Sequence, residues 1–228
     1  EQPGRLLEIG AAPYFMSMLL RRFRSYDLTL MNYFDENWGD RGAQTLVARD
    51  GTETRLEFDH WNVEAGGSPY QPDTFDVVMF CEVLEHLTKD PLAALLELKR
   101  VLKPQGLLIL TTPNAVRTEN VVRCLAGESI GDSYSAYGAY GRHNREYTLD
   151  ELRQLLRHAG FVIEESFTAD VHAHPSYLTL SRSVWESLKQ QRLPTLGQYM
   201  FVRARNSHAA RPGRPRWLYR SYPEDQLA

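Results

Sequence analysis

The sequence predicts an α/β fold, a mostly parallel sheet with helices on both faces. Three observations carry this reading. Residues 6–14 (LLEIGAAPY) run as a short buried strand, a tight turn and the start of a helix. Residues 75–81 (FDVVMFC) form an unbroken apolar run suited to a central parallel strand. Elsewhere strand-like and helix-like patterns alternate, with no internal repeat and no low-complexity linker.

Each element has a local reason. In the first strand Leu6, Leu7 and Ile9 are apolar, and Glu8 interrupts them just before Gly10. Gly10 can adopt backbone angles closed to other residues and lets a ligand approach the main chain. Pro13 suits the first turn of a helix, where its missing N–H costs nothing. Phe15, Met18, Leu19 and Arg22 recur at helical spacing, giving an apolar face with a basic end. At such a strand–turn–helix an open α/β sheet binds a nucleotide-like ligand. Neither the phosphate loop G-x-x-x-x-G-K-[ST] nor the dinucleotide fingerprint G-x-G-x-x-G occurs. Residues 26–31 read as the second strand, 32–42 as a polar loop holding Asp35, Glu36 and Asp40, and 54–60 as the third strand. After the fourth strand at 75–81, residues 90–102 carry Leu92, Leu95, Leu96, Leu98 and Leu102 in a helical stripe ended by Pro104 and Gly106. The fifth strand is 107–110. A helix over about 116–126 gives way to an irregular stretch, 127–145. Thr148 caps a helix through His158, with Glu151 in the capping-box position. Strand six is 161–167, a helix is expected over 176–191, and the last strand is 198–204.

At 228 residues, 43% hydrophobic and 24% charged, the chain can bury one good-sized core. Its net charge of −3 gives no overall pull toward nucleic acid. Cys81 and Cys124 cannot form a disulfide framework, so a reducing, cytoplasmic setting is expected. No apolar run approaches the ~18 residues that span a bilayer, and no signal peptide opens the chain. The first strand comes abruptly, which points to a preceding helix or domain.

The phrase DVVMFCEVLEHL at 76–87 resembles a hallmark of the class I S-adenosylmethionine-dependent methyltransferases, small-molecule type. LKRVLKPQGLLILTTPN, GRHNREYTLDELRQLLRHAGF and GQYMFVRARN resemble further stretches of that family, so the likeness covers about residues 5–206. It implies a Rossmann-like doubly wound sheet of seven strands in order 3-2-1-4-5-7-6, the last strand antiparallel. It also implies a methyltransferase domain over 1–206, with 127–147 as a substrate lid, followed by a basic extension over 207–228. S-adenosyl-L-methionine is the implied cofactor. Its contacts would fall on Glu8, Gly10, Ala11, Ala12 and Tyr14 in the first loop. Asn32 and Asp35 follow the second strand, Asn62 and Val63 the third, and Cys81, Glu82 and Val83 close the fourth. The family's acidic-x-G-x-G-x-G loop is altered here, with Ala12 and Tyr14 in place of the later glycines.

Methyl transfer from a sulfonium is an in-line displacement, and the protein mainly aligns nucleophile and methyl group. A base helps an oxygen nucleophile. His143 and His86 are the candidates, and a merely structural role at a helix start or loop is the alternative for each. Arg142, Arg145, Tyr147 and Tyr140 form the expected substrate wall. His172 and His174 make an H-x-H with no completing ligand set, so no metal site is expected. The run 203–220 holds six arginines and no acid. It reads as a solvated, partly disordered extension, with a phosphate, membrane or RNA contact as the alternative. The expected activity is O-methylation of a sugar or natural-product hydroxyl, on a small-molecule or glycan acceptor. The rivals are an N-methyltransferase of a small amine, a nucleic-acid methyltransferase, and a catalytically silent interaction module of a larger protein.

Overall fold

The computed structural model describes residues 4–173 and 195–228. Twelve elements matter to the site. They are β1 (Arg5–Ile9), α1 (Phe15–Phe23), β2 (Asp27–Asn32), β3 (Arg41–Val47), β4 (Glu53–His60) and β5 (Phe75–Cys81). Then come α2 (Pro91–Val101), β6 (Leu102–Pro113), α3 (Thr118–Leu125), α4 (Leu149–His158), β7 (Phe161–Ala169) and β8 (Tyr199–Asn206). The helix expected over 176–191 lies outside the described residues.

The strands form one sheet in the order β3-β4-β2-β1-β5-β6-β8-β7. With the edge strand β3 set aside, this is the expected order, and β8 runs antiparallel to both its neighbours. The sequence reading missed β3. Arg41, Gly42, Gln44 and Thr45 look like loop residues, but they pair antiparallel with β4 from Arg41↔Asp59 to Val47↔Glu53. An edge strand has only one partner and a wet outer side, so it needs no apolar run.

Residues alternate between the two faces of the central strands. Leu7, Ile9, Val78 and Phe80 join the main core with Leu92, Leu95 and Leu98 of α2 and Leu152, Leu155 and Leu156 of α4. On the other face Leu6, Val77 and Met79 meet Leu20 of α1. Of the α1 face read as apolar, Phe15 is 75% and Leu19 50% exposed, while Met18 packs against the Tyr14 cluster. Ser17 is the buried residue, and its Oγ donates to the buried Glu8 carboxylate at 2.6 Å. Pro13 lies just ahead of the helix, which starts at Phe15. Thr148 and Glu151 form the expected capping box on α4.

The C-terminal tail is not a solvated extension. Tyr219 is buried in the main core. Its hydroxyl donates to Asp90 Oδ1 at 2.6 Å and accepts from the Leu92 N–H at 2.9 Å. Arg214 pairs with the other Asp90 oxygen. Asp90 also caps α2 through the Ala93 N–H, so the tail and the start of α2 share one anchor. Tyr219→Phe would orphan the buried Leu92 N–H, an expected loss of about 1–3 kcal/mol. Urea unfolding with an unchanged m-value measures it, and no change in midpoint would show that the tail does not hold α2.

Candidate active site

β1 and β5 pair in parallel from Leu6↔Val77 to Ile9↔Phe80. β2 lies on the far side of β1. The chain therefore leaves the carboxyl ends of β1 and β5 in opposite directions and leaves a crevice between them. A cleft of 230 Å³ occupies this position. Gly10 and Ala12 line it from the first loop, Asn32 from β2, Asn62 and Val63 from the segment after β4, and Glu82 and Val83 from the end of β5. Gly10 has φ +70, and a Cβ there would stand 2.6 Å from Val83 Cγ2. The glycine is thus required both by conformation and by the approach of the two strand ends.

Several expected contacts do not line the cleft. Tyr14 is 1% exposed and packs with Leu30, Leu56 and Phe58. It occupies the left-handed region at φ +68, so a bulky residue has taken a conformation that favours glycine by turning its ring inward. Asn32 braces the same loop: its Oδ1 accepts from the Ala12 N–H and its Nδ2 donates to the Tyr14 hydroxyl, each at 2.9 Å. Glu8 sits below the loop on Ser17, and burial pushes its carboxyl up despite that hydrogen bond. Ala11 is buried in the Tyr14 cluster. Asp35 is exposed and accepts from the Asn37 N–H in its own turn. Cys81 belongs to the sheet face under Leu6 and Met79, where burial pushes its thiol up to about 11.

Residues not singled out from sequence complete the cleft: Tyr33, Phe34 and Trp61 supply rings. Tyr140, expected on a substrate wall, reaches into this cleft instead. Its hydroxyl accepts from Asn62 Nδ2 and donates to Glu64 Oε2, each at 2.9 Å. Glu64 in turn takes the N–H groups of Thr88, Lys89 and Asp90. Burial would raise its carboxyl, but these bonds hold it below the usual range. The rest of the expected wall faces elsewhere. Tyr147 is 2% exposed in the main core, Arg145 binds Glu151 and stacks on Tyr147, and Arg142 lies over the Tyr134 ring.

The two histidines do meet, with ring centroids 5.0 Å apart and planes at 81°. His86 Nδ1 donates to the Arg142 carbonyl at 3.0 Å. Burial, then the neighbouring His143, lower its basicity. His143 Nδ1 donates to Glu146 Oε1 at 2.9 Å. That bond raises the basicity of His143 against the effect of burial, and the charges of Glu85, Glu146 and Asp132 add to it. Glu146 is held by Arg117 and Asn120. Below them Glu85 is fully buried, and burial, then the Glu82 charge, push its carboxyl up to about 7. Its Oε2 accepts from Thr112, while Oε1 has no hydrogen-bond partner among the described residues and lies 3.8 Å from His86 Nε2. Glu146 and Glu85 were missed from sequence. Their signals, an acid three residues after His143 and one directly before His86, are common helix-turn patterns. His86 lines the first cleft, and His143 lines a second one of 290 Å³ with Arg117, Tyr199 and His172. His174 lies outside the described residues.

A sheet of this order, with a cleft where its winding reverses, defines a doubly wound α/β domain with a crevice at the place where such sheets bind ligands. Comparison with known proteins is specific: a family model described as "Methyltransferase domain" matches residues 1–166. The chain therefore belongs to the class I S-adenosylmethionine-dependent methyltransferases. It is 33% identical over 160 residues to a ubiquinone biosynthesis O-methyltransferase of Cereibacter sphaeroides, covering 68% of this chain and 59% of that protein. Among solved structures, one chain of the Haloferax volcanii complex of the Trm112 methyltransferase activator with a methyltransferase is similar at TM-score 0.58. It is 20% identical, covering 91% of this chain and 84% of that one. A Thermotoga maritima S-adenosylmethionine-dependent methyltransferase follows at TM-score 0.55 and 19% identity, covering 90% and 83%. These two likenesses concern the fold.

S-adenosylmethionine is the cofactor of this family, and the cleft suits it. The main chain is bare at Gly10, rings and carboxamides line the sides, and Glu82 offers a carboxylate whose Oε1 is held by Thr111. The cleft's 230 Å³ is small against the roughly 300–1,000 Å³ of ligand pockets. Tyr140 is among the residues that fill its sides. Gly10→Val should abolish binding of S-adenosylhomocysteine in calorimetry up to millimolar ligand. Wild-type affinity in that variant would place the donor elsewhere.

Proposed function

We propose that this protein methylates a hydroxyl oxygen of a small-molecule or glycan acceptor, with His143 as general base and Glu146 as the residue that positions it. The observation that carries this reading is the imidazole pair standing between two clefts. The first would hold the donor on Gly10, Ala12, Asn62, Val63, Glu82 and Val83, with Tyr33 and Trp61 against its ring and Tyr140 as a lid contact from 127–147. The second, beside His143, would admit the acceptor.

Bound S-adenosylmethionine supplies the methyl group and departs as the thioether. The chain's own work is alignment and proton handling. Glu146 fixes the tautomer of His143 with the proton on Nδ1, so Nε2 is the free acceptor. An acceptor hydroxyl placed beside His143 would give its proton to Nε2 as its oxygen takes the methyl group. Surrounding carboxylates stabilise the resulting imidazolium. His86, held less basic, stays neutral and packs the ring edge-on. The Cereibacter relative is named an O-methyltransferase, which supports the oxygen nucleophile. No helix among the described residues is long and apolar enough to cross a membrane. The free Cys81 and Cys124 support a cytoplasmic setting.

The test is kinetic. His143→Ala should lower kcat by about a hundred- to ten-thousand-fold with S-adenosylhomocysteine affinity unchanged. A near-normal kcat would favour an amine acceptor, which needs no base. Because the base works when neutral, kcat should rise with pH through the raised basicity of His143, above its ordinary 6.5. Glu146→Gln removes the largest raising influence, so that limb should move to lower pH. A limb that stays in place would exclude the pair.

A further inference from the structure

The tail and α4 enclose a cavity of 430 Å³ that methyl transfer does not use. It lies between Arg157 and His158 of α4 and Arg211, Arg216 and Trp217 of the tail. Two main-chain links build it. The Arg211 N–H donates to the His158 carbonyl at 2.9 Å, and His158 Nε2 donates to the Gly213 carbonyl at 2.8 Å. Three guanidinium groups, one from α4 and two from the tail, thus open into one concavity that Ala228 also lines, and no acidic side chain lines it. Arg216 pairs with Glu224, which is 81% exposed, so that pair is weakly held. Arg157 and Arg211 have no side-chain partner among the described residues. Setting the like charges of Arg157 and Arg211 side by side is unfavourable unless an anion joins them. Beside them Trp217 is 39% exposed and offers a flat aromatic face.

We propose that this cavity binds a phosphate-bearing ligand with a planar ring, the phosphates on Arg157 and Arg211 and the ring against Trp217. A guanidinium grips phosphate oxygens in a bidentate fork, and an aromatic side chain stacks any base regardless of sequence. The volume falls in the roughly 300–1,000 Å³ range of small-molecule sites. A free nucleotide and a single-stranded RNA end share this chemistry. The assignment stands independently of the acceptor read above.

The test uses the full chain saturated with S-adenosylhomocysteine, which blocks the donor cleft. Adenosine diphosphate and a short single-stranded RNA are titrated separately by calorimetry at physiological salt. Saturable binding of either is expected. It should weaken at least about tenfold in the Arg157→Gln/Arg211→Gln double variant and clearly in Trp217→Ala. All three residues are exposed, so melting temperature and S-adenosylhomocysteine affinity should not change. Binding of the nucleotide identifies a free metabolite as ligand, and binding of the RNA alone identifies a polymer end. No saturation by either below millimolar, or binding that survives the double arginine variant or Trp217→Ala, overturns the proposal.

Discussion

The parallel pairing of β1 with β5 is the constraint on which the site depends. It sets Ile9 beside Phe80, so Gly10 and Val83 leave the sheet as near neighbours. Because β2 and β6 lie on opposite sides of this pair, the chain must depart in opposite directions and cannot close the gap. Apolar burial of Leu7, Ile9, Val78 and Phe80 holds the pair, at about 1.5–3 kcal/mol for each large side chain. The cleft is thus a by-product of the strand order, and loop chemistry only trims it.

A second layer of main-chain bonds ties the segment around residue 144 to the end of β5. The Glu85 carbonyl accepts from both the Asn144 and Arg145 N–H groups, and the Asn144 carboxamide reaches the His86 carbonyl. His143 is therefore carried to His86 by backbone geometry. The two imidazoles then diverge in basicity: burial and the neighbouring His143 lower that of His86, while the Glu146 carboxylate raises that of His143. Environments that push two like groups apart are the usual way one site assigns acid–base roles.

Most of the fold was legible because it rests on short-range pattern. The run at 75–81, the leucine stripe of α2 and the Thr148 cap each predict their own element. β3 was not, since an edge strand can be polar. The lining of the candidate cleft was legible where a strand end marked it, as at Gly10, Asn62 and Glu82. The rest was not legible where a side chain had a choice of partners. Arg145 found Glu151, Tyr147 found the core, and Tyr140 found Asn62 and Glu64. Tyr140's partners lie 76 and 78 positions away, which no local window displays, and the nearby Glu151 was only one of several acids that Arg145 could have met.

The first loop shows how a glycine position can be surrendered. Tyr14 in the left-handed region costs about 1–2 kcal/mol of backbone strain. Burial of a ring of this size offsets about as much, and its hydroxyl meets the carboxamide of Asn32. The two positions are therefore locked as a unit. Drift at residue 14 alone would strand a buried amide, and drift at residue 32 alone would unseat the ring. Across descendants of this chain the pair should be inherited or replaced together, as one heritable character written in two codons.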